Sequence, residues 1–63
     1  MAQMSLKALR VNAGMTQKAA AEAVGVSVVT IIKWERGERK PKINKLYELC
    51  KTYGCSLDDV KIG

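Results

Sequence analysis

The side chains that could do chemistry in this chain are mostly cations. There is no histidine, so the usual pairing of a nucleophile with an imidazole base is missing. The carboxylates are scattered. Asp58 and Asp59 are neighbours in sequence and on a helix would point apart, so they make no acid–base pair. Neither a GxxxxGK phosphate loop nor a GxGxxG run is present, and no enzyme is expected. Cys50 and Cys55 are the only cysteines, whereas a structural zinc site usually takes four Cys or His ligands, so neither metal nor cofactor is expected. The two read as small buried hydrophobes or, alternatively, as a regulatory redox pair. By contrast, Arg36, Arg39, Lys40 and Lys42 crowd one short stretch, with Lys33 just before it. Such a cluster suits phosphate, although any one of these lysines could be a plain solvated charge.

The whole chain leans the same way. Eleven Lys and Arg stand against six Asp and Glu, a net charge of +5 over 63 residues. That length allows one domain, residues 1–63 with a structured core over about 5–61, near the lower limit for independent folding and burying roughly 60% of the unfolded surface. It leaves no room for a second ligand-binding or dimerisation domain. No stretch approaches the roughly 18 to 20 apolar residues of a membrane span. Lys7 and Arg10 interrupt any signal-peptide pattern, so an intracellular soluble protein is the simplest expectation.

The elements that must carry the cations centre on Met15 to Gly37. Thr16 can cap a helix over Gln17–Val24, whose four alanines favour it. Gly25 supplies a stop, Ser27 can cap a second helix running to about Arg36, and Gly37 closes that one. Helix, glycine turn, helix is the order of a helix-turn-helix. At 100° per residue Ala20, Ala21 and Val24 share one face of the first, and Ile31 and Trp34 one face of the second. Val29, Ile32, Lys33 and Arg36 then face outward, an unusual share of aliphatics for a solvated surface. The β-branched run from Val28 to Ile32 favours a strand by propensity, but caps on both flanks and the Ile31–Trp34 interval favour helix.

On either side the pattern is also helical. After a loose start at Met1 to Met4, a helix over about Ser5 to Ala13 places Leu6, Leu9 and Ala13 on one face and stops at Gly14. Pro41 disfavours helix at Lys40 and can open the next, which runs to about Tyr53 with Ile43, Leu46, Leu49, Cys50 and Tyr53 on its stripe. Gly54 ends it. Ser56 caps a last short helix, Leu57 to about Lys61, with Asp58 and Asp59 at the positive end of its dipole.

Thr16-Gln17, Ala21, Gly25-Val26-Ser27, Ile31, Trp34-Glu35 and Gly37 together resemble the signature of the phage repressor and Cro-type helix-turn-helix family, the xenobiotic-response-element-type regulators. The likeness extends to Leu9-Arg10, Gly14, Lys40-Pro41, Leu46, Leu49, Gly54 and Ser56, and so from about Leu6 to Val60. It implies an all-α fold, a compact five-helix, lambda-repressor-like domain. It also implies a transcriptional regulator, of repressor type and prokaryotic or phage origin, acting on double-stranded DNA in the bacterial cytoplasm and nucleoid. By the family's pattern Arg10 pairs with Glu35, tying helix 1 to the recognition helix, the bland alternative being two solvated charges. Val28, Val29 and Lys33 fall at base-facing positions with Ile32 at their edge. Gln17 and Ser27, with Arg36, Arg39, Lys40 and Lys42, fall where phosphates are held.

Val28 and Val29 depart from that pattern, since family members often carry polar side chains there. Valine can pack on a thymine methyl while Lys33 reaches guanine acceptors; alternatively the valines fill a partly buried helix start and specificity rests on Lys33 and DNA shape. The family commonly works as homodimers on inverted repeats, for which Leu57, Val60 and Ile62 are the self-contact candidates unless they close the monomer core. Nothing resembles a small-molecule sensor. The competing function is a helical protein-interaction module, an adaptor or antitoxin-like domain docking through Val29 and Ile32.

Overall fold

The computed structural model describes residues 3–61. Its order is α1 (Leu6–Asn12), α2 (Gln17–Val24), α3 (Val28–Arg36), α4 (Ile43–Tyr53) and a single 3₁₀ turn, Leu57–Asp59. No helix among the described residues is long and apolar enough to cross a membrane.

Caps set the helix starts. Ser5, Thr16 and Ser27 each sit in extended backbone, and their side-chain oxygens accept from the amides of Ala8, Ala19 and Thr30 at 3.1, 3.0 and 3.1 Å. The β-branched segment is helical throughout. Ser27 caps it, Gly37 ends it with φ at 76°, and Ile31, 1% exposed, anchors its middle, so burial and capping outweigh propensity.

The helices close over a core in two parts. Ala20, Ala21 and Val24 of α2 meet Ile31 of α3 and Leu49 of α4, with Trp34 and Val28 against them. The small alanines let α2 and α3 cross closely. Leu9, Leu46, Cys50 and Val60 make the second part, flanked by Cys55.

Four expectations are corrected. A fifth α-helix does not form: Asp59 turns its carboxylate back to accept from the Ser56 amide at 3.0 Å, and at Val60 the chain becomes extended. There Val60 makes a parallel bridge with Met4. The Met4 amide donates to Asp59 at 2.8 Å and its carbonyl accepts from Lys61 at 2.9 Å, so Met4 is no loose start. Pro41 lies before the helix rather than opening it, since Lys42 holds the cap position of α4. Ile43, on the apolar stripe by arithmetic, is 68% exposed in the first turn, and the buried stripe begins only at Leu46.

Candidate nucleic-acid interface

The outer face of α3 is held rigidly from behind. Arg10 is a buried arginine on α1, and its Nε donates to Glu35 Oε2 at 2.7 Å while its Nη2 donates to Oε1 at 3.4 Å. Its Nη1 donates to the Met15 carbonyl at 2.8 Å, and Gln17 Nε2 donates to Glu35 Oε1 at 3.2 Å. One carboxylate on α3 therefore joins α1 and the first residue of α2, and Arg10 in turn holds the α1–α2 turn at Met15. The hydrogen bonds to Glu35 raise the Arg10 pKa above its ordinary value, against the opposing cost of burial, so the guanidinium stays charged.

The two valines differ in environment. Val28 is half-buried against the α2–α4 core, whereas Val29 is 58% exposed. Ile32 and Lys33 are partly exposed beside it. Gln17, Ile32, Glu35 and Arg36 line one shallow depression together with Lys7. Lys7 is a cation the sequence alone did not bring to this surface: nothing in its helical position shows that α1 packs against α3. The Gln17 amide is oriented by Glu35, leaving its second N–H free to donate.

Arg36, Arg39, Lys40 and Lys42 are all exposed. Arg36 makes a long contact of 3.7 Å with Glu38, a surface ion pair that contributes little. Arg36, Arg39 and Lys40 border a second cleft beyond the end of α3, while Lys42, at the cap of α4, lines neither concavity. Ser27 spends its oxygen on the α3 cap and shares a 2.9 Å contact with the Thr30 hydroxyl, yet its side chain lies at the solvent-facing start of the helix.

Lys45 is a further residue sequence reasoning missed. Its Nζ donates to the Val24 carbonyl at 2.7 Å, placing a positive charge at the C-terminal end of α2, next to the turn that leads into α3. Of the self-contact candidates, Val60 is corrected: at 3% exposure it packs in the core and does not protrude as a self-contact would need. Leu57 is 37% exposed, and Ile62 lies outside the described residues. Both cysteines are free thiols. Burial pushes the Cys50 thiol up to about 11, with the neighbouring Cys55 thiol adding to the shift, which suits a packed side chain better than a reactive one.

A capped pair of short helices crossing at alanines, the second pinned by a buried ion pair and bare on its outer side, defines a helix-turn-helix domain. The chain belongs to the Cro/C1-type helix-turn-helix family, whose sequence profile matches residues 6–60. It is similar to the HTH-type transcriptional regulator DicA of Escherichia coli, with 38% identity over 54 residues, 86% of this chain and 40% of DicA. An uncharacterized HTH-type transcriptional regulator of Archaeoglobus fulgidus is 30% identical over 57 residues, 90% of this chain and 81% of that protein. The uncharacterized HTH-type transcriptional regulator MJ0272 of Methanocaldococcus jannaschii is 33% identical over 57 residues, 90% and 86% of the two chains. The chain thus spans less than half the length of DicA and most of the length of the two archaeal relatives. No solved structure matches.

Proposed function

We propose that this chain is a sequence-specific double-stranded-DNA-binding regulator of transcription, of the repressor kind, without catalytic activity. The observation that carries the reading is the outer side of α3, where Val29 is 58% exposed on a helix locked from behind and followed by exposed Arg36, Arg39 and Lys40. In this reading α3 enters the major groove with Val29, Ile32 and Lys33 at base edges and Val28 at the inner margin. Lys7, Gln17 and Ser27 meet phosphates on one side, and Arg36, Arg39, Lys40 and Lys42 on the other. The relatives' names, all transcriptional regulators, agree with it. A homodimer would place two copies of α3 on half-sites one helical turn, roughly 34 Å, apart, with Leu57 as the exposed apolar side chain for the self-contact.

The test is selection from a random double-stranded DNA pool at two salt concentrations, followed by sequencing. The expected result is an inverted repeat with thymine opposite the position of Val29. Val29→Ala should then weaken binding at one base pair and leave scrambled DNA unaffected; an equal loss on scrambled DNA would remove the methyl-contact role. Absence of binding at both salt concentrations would favour the protein-docking reading of the same surface.

A further inference from the structure

A cleft of about 360 Å³ opens between the end of α3, the connector to α4 and the extended segment at Val60. Its floor is apolar, with Leu46 and Val60 at the base and half-buried Trp34 as a wall. Its rim is cationic: Arg39, Lys40 and Lys61 border it, all exposed. Glu35 also reaches the cleft, but Arg10 and Gln17 already occupy both of its oxygens. The volume falls at the small end of ligand pockets, which span roughly 300 to 1,000 Å³.

We propose that this cleft binds a small organic anion with an apolar body, a carboxylate or sulfonate of about phenylalkanoate size. The body packs against Trp34, Leu46 and Val60, and the charge sits among Arg39, Lys40 and Lys61. A phosphate backbone could meet the rim but has no apolar group to cover the floor. Arg39 and Lys40 are also phosphate contacts in the proposed function. To that extent the inference rests on that function: the anion and DNA compete for two cations, and each weakens the other reciprocally.

The test is a ¹⁵N–¹H NMR titration with 4-phenylbutyrate at fixed ionic strength. Trp34 is the single tryptophan, so its indole N–H is one resolved reporter. Saturable shifts are expected at that indole and at the Gly37 and Lys61 amides, with a Kd on the order of 1 mM or tighter. The neutral 4-phenylbutanamide should bind roughly fivefold more weakly, and Lys61→Gln should weaken the carboxylate by roughly two- to fivefold while the spectrum stays dispersed. No saturable shift at Trp34 and Gly37, or equal binding of the amide, would overturn the site.

On the operator, carboxylate at its own Kd should raise the DNA Kd about twofold. An unchanged DNA Kd with the site occupied would overturn the competition. A protein that binds the carboxylate but no DNA would overturn the regulator reading and support the site.

Discussion

At Glu35 three donors from two other elements converge on one carboxylate: Arg10 Nε, Arg10 Nη2 and Gln17 Nε2. Side-chain exposures of 11% for Arg10 and 6% for Glu35 place the pair largely out of water, where removing one member strands the other. Arg10→Met should therefore lower the free energy of unfolding by about 3–5 kcal/mol, measured by urea titration. A loss under about 1 kcal/mol is what two solvated charges would give. Two other residues set the alkaline limit. Burial raises Tyr53 to about 12 from 10.0 and Cys50 to about 11 from 9.0, so in both cases the native state holds its proton longer than the unfolded chain. Stability from these groups is fully present below pH 9. It should fall as pH rises, between 9 and 11 for Cys50 and between 10 and 12 for Tyr53. Tyr53→Phe should remove the upper part of that fall in pH-dependent thermal melts. A curve identical to the parent's would rule out Tyr53 as its source.

The turn between α2 and α3 works as an element because three small devices agree. Gly25 adopts φ of 71° and closes α2, Lys45 supplies a donor and a positive charge at Val24, and Ser27 starts α3. A Cβ placed on Gly25 would meet nothing within 4 Å, so replacing it tests conformation without a clash. Gly25→Ala should cost about 1–2 kcal/mol from left-handed backbone strain, and Gly25→Asn less. Equal stabilities for the three proteins would show that the turn relaxes to negative φ. The α2–α3 pair was legible because caps and alanine spacing are local signals. The final helix was not: Ser56, Asp58 and Asp59 suit a helix start equally well, and the pairing of Val60 with Met4 across the whole chain ends it after one turn.

At the scale of the molecule, the described residues span 30 × 23 × 19 Å, with cations on the surface around and beyond α3. If DNA binding is mainly phosphate neutralisation, log K should fall by roughly 0.9 per log unit of salt for each phosphate held. Lys40→Gln should lower that slope by about 0.9 on operator and random DNA alike, and a slope identical to the parent's would remove Lys40 from the contact set. This prediction belongs to the whole surface because no single cation is placed by a hydrogen bond among the described residues, apart from Arg10 and Lys45.

Caps, glycine stops and the 3.6-residue spacing of Ala20, Ala21, Val24, Ile31 and Trp34 are short-range properties. The sequence by itself therefore determined four helices, their order and the helix-turn-helix at their centre. Which side chains stay outside depends on neighbours distant along the chain. Only the tertiary structure decided that Val28 is half-buried while Val29 is free, and that Val60 belongs to the core while Ile43 stands in solvent. The packing of α1 against α3 set Lys7 on the same depression as Gln17, and the return of the Val60 segment to Met4 enclosed the cleft at Trp34. Periodicity gives a direction around one helix axis; burial requires a second surface, and only packing supplies it.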